Sequence, residues 1–114
     1  MTASEKVQYI VEAADEMKAE QIETIDVRQK TSVADFFVVC GGTSDRHVQS
    51  IAERVGERMV ALRSKPLRED SASPGWVLHD YGDVVLHVMR EEQRQFFDLE
   101  TLWKTMRPNP DLTT

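Results

Sequence analysis

The stretch that decides the fold runs from Trp76 to Trp103 and reads WVLHDYGDVVLHVMREEQRQFFDLETLW. Two apolar, β-prone runs, residues 76–81 and 84–89, flank a Gly-Asp pair, which is the pattern of a strand, a tight turn and a returning strand. A two-residue turn there fixes the register of the hairpin. The predicted cross-strand pairs are Tyr81 with Val84, Asp80 with Val85, His79 with Leu86, Leu78 with His87, and Trp76 with Met89.

Three segments show the apolar periodicity of amphipathic helices. The first begins at Thr2, which forms a candidate capping box with Glu5. The second begins after Thr43 and Ser44, both candidate caps, and contains Gly56, which we expect to allow close packing. The third follows the hairpin from Glu91 to Met106, and its apolar residues are Phe96, Phe97, Leu99, Leu102, Trp103 and Met106.

Three further segments are strand-like. IETIDVR (22–28) and DFFVVCGG (35–42) predict two strands, and their short connection favours an antiparallel pair. LRED (67–70) predicts a short third strand, reached by a right-handed crossover if it lies parallel to the second. SASPG (71–75) predicts a loop before the hairpin.

The resulting order, α-β-β-α-β-β-β-α, predicts a mixed sheet of about five strands flanked by helices, in the α/β or α+β class. The 114 residues suffice for one domain. We expect that domain to span residues 1–107, and the Pro-containing tail, residues 108–114, to be flexible.

The charge balance constrains the partner. Fourteen basic and 20 acidic residues give a net charge of −6, which disfavours a direct electrostatic grip on nucleic-acid phosphates and favours a basic protein surface. A single cysteine fits a reducing compartment. The N-terminus resembles neither a signal nor a transit peptide, and no stretch is apolar enough to span a membrane, so we expect a cytoplasmic protein.

The pair Gly41-Gly42, followed by Thr43 and Ser44, comes after a strand and opens a helix. Backbone N–H groups in such a position can hold a phosphate, which leaves a nucleotide-dependent transferase as the alternative function. The segment lacks the spacing of a phosphate-binding motif, and the only D-x-[DE] triplet, Asp98-Leu99-Glu100, lies in a helical pattern. A turn with a helix cap is the favoured interpretation.

No metal or nucleophile site is predicted. His79 and His87 fall on opposite faces in the hairpin register, so that with His47 they do not converge on one ion. Cys40 lies in an apolar strand, which favours a buried and inert thiol.

The hairpin tip has two interpretations. Asp80, Tyr81 and Asp83 are either acid–base groups or turn formers. Trp76, Leu78 and Tyr81 supply more large side chain than a hairpin with one wet face needs. Burial on both faces and a binding surface both account for them, and the sequence leaves the two open.

At these residues the chain resembles the ribosomal silencing factor family, also called the RsfS or Iojap family. The resemblance rests on ADFFVVCGGTSDRHVQSIA (34–52), GWVLHDYGDVVLHV (75–88) and FFDLETLW (96–103), and it covers almost the whole chain. Met89 stands where a Phe is more usual, and Phe96-Phe97 where the family tends to have Phe or Tyr next to Tyr. These swaps conserve volume approximately.

The resemblance implies a fold similar to that of nucleotidyltransferases but without its catalytic acids, hence no enzyme and no cofactor. It also implies a translational repressor. Such a protein binds a protein on the intersubunit face of the large ribosomal subunit, the fourteenth large-subunit protein, and blocks joining of the small subunit when nutrients are scarce. With the acidic charge, this predicts little RNA contact and no membrane, and it leaves a homodimer open. The predicted partner-binding residues are Trp76, Leu78, His79, Asp80, Tyr81 and Asp83.

Overall fold

A computed structural model gives the structure of the protein and describes residues 1–94 and Leu102. The predicted order of elements is confirmed. The elements are α1 (Ala3–Glu16), β1 (Glu20–Asp26), β2 (Phe36–Gly42), α2 (Asp45–Ala61), β3 (Arg68–Ser73), β4 (Trp76–Asp80), β5 (Val84–Arg90) and α3 (Glu91–Arg94).

The five strands form one mixed sheet in the order β1-β2-β5-β4-β3. The pair β1–β2 is antiparallel, as predicted, and β2 pairs with β5 in parallel. Strand β4 pairs antiparallel with both β5 and β3. Strand β3 therefore runs in the same direction as β2, with β5 and β4 between them.

The β4–β5 hairpin has the predicted register, from Trp76 opposite Met89 to Asp80 opposite Val85. Beyond it, the Tyr81 N–H donates to the Val84 carbonyl at 2.8 Å and closes the turn. Gly82 has a φ of 91°, a conformation that only glycine adopts without strain. The Gly-Asp pair thus sets the register, as the sequence indicates.

The predicted loop at residues 71–75 is wrong over its first three residues. Strand β3 continues to Ser73, with a register shift between Ser71 and Ser73, and only Pro74 and Gly75 form the turn into β4. Ser71 pairs with Val77, so the polar residues of this stretch are held in a strand by backbone pairing despite their low β propensity. The last three strands therefore form a meander of two hairpins.

The helices begin as predicted. Thr2 and Glu5 form a reciprocal capping box on α1, and the Ser44 hydroxyl accepts from the His47 N–H at 3.0 Å on α2. Both helices pack on one face of the sheet, over a core that includes Ile10 and Ile51. No helix within residues 1–94 is long and apolar enough to cross a membrane.

The opposite face of the sheet holds a second core of Val27, Phe37, Trp76, Val85 and Leu102, among others. Leu102 is helical and buried, which agrees with its predicted place on the third helix. The other predictions for that segment lie outside the described residues. They concern Phe96, Phe97, Asp98, Leu99, Glu100, Trp103, Met106 and the tail at 108–114.

Candidate functional site

The large side chains of the hairpin lie in the core. The exposed fraction is 5% for Trp76 and His79, 3% for Tyr81 and 1% for Leu78. Of the two interpretations that the sequence leaves open, burial on both faces therefore holds in the free chain. Partner binding by these four residues stays a prediction, and none of them offers a large exposed area to a partner.

The two hairpin carboxylates are half-buried and have partners within the chain. Asp80 Oδ1 accepts from the Gly82 N–H at 2.8 Å, as a turn former does. Asp83 Oδ1 lies 2.7 Å from Lys6 Nζ, which also donates to the Tyr81 carbonyl at 3.0 Å. A basic partner at Asp83 would have to compete with Lys6 for that carboxylate.

The two histidines of the hairpin lie on opposite faces, as predicted. His87 Nδ1 accepts from Trp76 Nε1 at 3.3 Å, on the face away from α1 and α2. Burial lowers the pKa of His87 to about 3, so its ring is neutral at pH 7. Within the part of the chain that the structure describes, no three His, Cys, Asp or Glu residues are arranged to hold a metal ion.

The segment around Gly41-Gly42 is engaged by the chain itself. A Cβ on Gly42 would lie 2.8 Å from Val48 Cγ2, so glycine is needed there for close packing of α2 on β2. The Thr43 N–H donates to His47 Nδ1 at 3.0 Å, and His47 Nε2 in turn donates to the Met17 carbonyl at 2.8 Å. These contacts support the interpretation of a strand end with a helix cap, and none of them favours a phosphate site.

Cys40 is fully buried, as predicted. Burial raises the pKa of its thiol to about 12, which keeps the sulfur protonated at neutral pH. A protonated, enclosed thiol is a poor nucleophile, so Cys40 belongs to the core.

An acidic groove, with a volume of about 890 Å³, opens beside the hairpin between α2 and strands β3 and β4. Its apolar lining includes Ala52, Gly56 and Val77. Three carboxylates face it, those of Glu53 and Glu57 from α2 and of Glu69 from β3. Asp70 also borders the groove, but it is opposite Leu78, so its side chain projects from the other face of the sheet. Among the described residues that line the groove there is no lysine or arginine. The groove therefore offers a negative surface to a basic ligand.

One of the predicted residues, His79, lines the acidic groove, and a second, Tyr81, contacts His79. His79 Nε2 lies 3.5 Å from Glu69 Oε1, and His79 Nδ1 lies 3.2 Å from the Tyr81 hydroxyl. Burial lowers the pKa of His79, an effect that Glu69 partly opposes, and burial raises the pKa of Tyr81. Both side chains are neutral at pH 7. They position Glu69 at the groove, and a protonated Tyr81 offers no nucleophile.

Sequence reasoning missed the acidic groove because its carboxylates come from separate elements. Glu53 and Glu57 lie four residues apart, on the side of α2 away from its apolar face, where charges are usual on any amphipathic helix. Glu69 and Asp70 belong to the predicted third strand. Only the position of β3 at the end of the sheet brings Glu69 to the same opening as Glu53 and Glu57.

Comparison with known proteins identifies the family. The model of the family described as "Ribosomal silencing factor during starvation" matches residues 1–114. The chain belongs to the ribosomal silencing factor family. The Ribosomal silencing factor RsfS of Halalkalibacterium halodurans is 37% identical over 105 residues, which cover 90% of this chain and 89% of the relative.

Two further comparisons show similar proteins over most of this chain. A crystal structure of a Chromobacterium violaceum protein superposes with a TM-score of 0.84 at 31% identity, covering 96% of this chain and 92% of that one. The mouse protein named "Mitochondrial assembly of ribosomal large subunit protein 1" is 32% identical over 97 residues, which cover 82% of this chain and 42% of the relative. The bacterial relatives are named as silencing factors, which are regulators.

Proposed function

We propose that this chain represses translation by binding the large ribosomal subunit through one of its proteins, the fourteenth, on the intersubunit face. Occupation of that face blocks joining of the small subunit. The observation that carries the proposal is family membership over the whole chain. The mouse relative, whose name places it with the large subunit, supports the choice of subunit.

The charge of the chain supports a protein partner over RNA. At a net charge of −6, ribosomal RNA repels the chain on average, whereas a lysine- and arginine-rich ribosomal protein attracts it. The acidic groove supports this choice, since the carboxylates of Glu53, Glu57 and Glu69 face one opening. RNA contact is then limited to the rim of the interface.

The six predicted hairpin residues enter this proposal in two ways. His79 lines the groove, Tyr81 contacts His79 through its hydroxyl, and Asp80 and Asp83 lie at the hairpin tip. Trp76 and Leu78 belong to the core of the opposite face and hold the hairpin in the sheet. A partner at the groove would thus meet a surface that the hairpin shapes.

A subunit-joining experiment tests the proposal. Purified small and large subunits are mixed at a Mg²⁺ concentration that favours joining, with and without an excess of the protein, and separated on sucrose gradients. We expect the joined particle to decrease and the protein to sediment with the large subunit. Unchanged joining with saturating protein would contradict the proposed function.

Charge reversal tests the contribution of the groove, with a matched control on α1. Glu53→Lys with Glu57→Lys should weaken binding to large subunits by about tenfold or more, since lost charge complementarity at an interface costs on the order of a kcal/mol or more. Glu12→Lys with Asp15→Lys makes the same change in net charge at exposed positions of α1. Equal losses in both variants would show that net charge, and not the groove, sets the affinity.

A further inference from the structure

Strand β3 lies at one end of the sheet. Within the described residues, β3 pairs with β4 alone, on one side. Glu69, Asp70 and Ser71 are exposed. The Ser71 N–H donates to Asp70 Oδ1 at 2.8 Å, so this backbone donor is bonded to the neighbouring side chain and not to another strand. Edge strands present such groups to any extended chain that can pair with them.

The groove lies along this edge, which couples backbone pairing to charge. Glu69 and Ser71 are opposite His79 and Val77, whose side chains line the groove, so their own side chains share that face. Glu53 and Glu57 lie across the groove on α2. A strand added beside β3 would therefore place every second side chain toward carboxylates.

The same charges favour some partner strands for β3 over others. A second copy of this chain pairing through β3 would bring Glu69 and Asp70 of each copy together, and like charges opposite one another destabilise a strand pair. A strand with lysine or arginine at alternate positions meets opposite charge instead. Its residues on one face repeat at about 6.7 Å, so two or three of them suffice for the carboxylates of the groove.

We infer that an extended basic segment of the ribosomal protein adds a strand to β3, with alternate lysine or arginine side chains directed into the acidic groove. This inference rests on the proposed function and specifies how its partner is recognised. Main-chain hydrogen bonds supply affinity, and the groove carboxylates supply selectivity for basic residues.

The test combines hydrogen exchange with a proline variant. In the wild-type chain, amide exchange across residues 69–73 is measured with and without purified large subunits, and we expect it to slow by tenfold or more in the complex. Ser71→Pro removes one backbone donor at the edge, where proline is tolerated better than in a central strand. We expect it to weaken large-subunit binding by tenfold or more, and by several times more than Ser71→Ala, which removes the hydroxyl but keeps the backbone donor.

The outcomes separate the inference from the proposed function. If wild type does not bind large subunits, the proposed function fails. If wild type binds and Ser71→Pro binds equally, with no slowing of exchange at 69–73, the function stands and the added strand is wrong. If Ser71→Pro does not fold, as judged by circular dichroism, the exchange measurement on wild type decides alone.

Other occupants of the edge give distinct results. Slow exchange at 69–73 in the free chain that vanishes on dilution indicates a second copy, and slow exchange independent of concentration indicates another segment of this chain. Full affinity for ribosomal RNA stripped of protein indicates a nucleic-acid partner. Each of these results would overturn the inference.

Discussion

The two edges of the sheet differ in how their backbone is covered. At the β1 edge, Arg94 donates to the carbonyls of Glu20 and Gln21, and its guanidinium lies 2.7 Å from Glu23 Oε2. At the β3 edge, the exposed Asp70 accepts from the Ser71 N–H, a contact within the strand itself. The β1 edge is thus secured by a side chain from another element, and the Ser71 donor by a neighbour in its own strand.

The β1 edge is also irregular. Its pairing with β2 shifts register between Glu20 and Glu23, and Gln21 has a φ of 49°. A bulge of this kind turns an edge away from further pairing. The β3 edge has a register shift too, between Ser71 and Ser73, but it pairs regularly with β4 from Arg68 to Ser71. These features favour extension of the sheet at β3 over extension at β1, and the charge of Glu69 favours a basic strand there.

Removing the Arg94 side chain would break the contacts that secure the β1 edge. The Arg94 side chain is only 11% exposed and makes charge-assisted hydrogen bonds to two carbonyls. We expect Arg94→Ala to destabilise the fold by about 2 kcal/mol, measured by urea unfolding. Arg46→Ala at an exposed position of α2 is the control, with a change within about 0.5 kcal/mol. Equal effects would show that Arg94 does not secure this edge.

Two matched glycines test whether the groove has room. A Cβ on Gly56 would meet only His79 Cε1, at 3.6 Å, an ordinary contact, so the close packing expected at this glycine is not required. Gly56→Ala should stabilise α2 by about 0.5–1 kcal/mol. Gly42→Ala should destabilise by about 1–3 kcal/mol, because its Cβ would lie 3.0 Å from the Val48 backbone nitrogen. Thermal or urea unfolding of both variants measures the contrast, and a destabilised Gly56→Ala would contradict an open groove.

Local sequence chemistry predicted the elements and the hairpin. The Gly82-Asp83 turn sets a register that places His79 and His87 on opposite faces, and both features depend on a few neighbouring residues. The capping box of Thr2 and Glu5 is equally local. Strand β3 was predicted too short because its last residues are polar, and their strand conformation comes from pairing with β4.

The candidate site depends on contacts that no local pattern encodes. Large aromatic residues such as Trp76 and Tyr81 suit a core and an interface equally well, and only the packing of helices on the sheet assigns them to the core. Glu53 and Glu69 are 16 positions apart in the chain and become neighbours through the sheet order. The sequence predicted an acidic and aromatic surface at the hairpin for a basic partner, and that stays a prediction. The structure adds an acidic groove that includes one of those residues, His79.

The smallest expected effect concerns the pKa of His79, which lines the acidic groove beside β3. Burial lowers the pKa of His79 and Glu69 opposes that effect, so Glu69→Gln should lower the pKa of His79 further while keeping an acceptor near Nε2. Asp70→Asn is the control, because Asp70 is opposite Leu78 and its side chain projects from the other face. The chemical shift of the His79 ring followed against pH by NMR measures the change. An unchanged or raised pKa of His79 in Glu69→Gln would show that the Glu69 charge does not act on His79.

The stability that His79 contributes is present above its unfolded pKa of about 6.5 and is lost as the pH falls toward the folded value. Since Glu69→Gln depresses the folded value further, the loss should extend to lower pH in that variant, whereas at pH 8 this contribution should be equal in the two proteins.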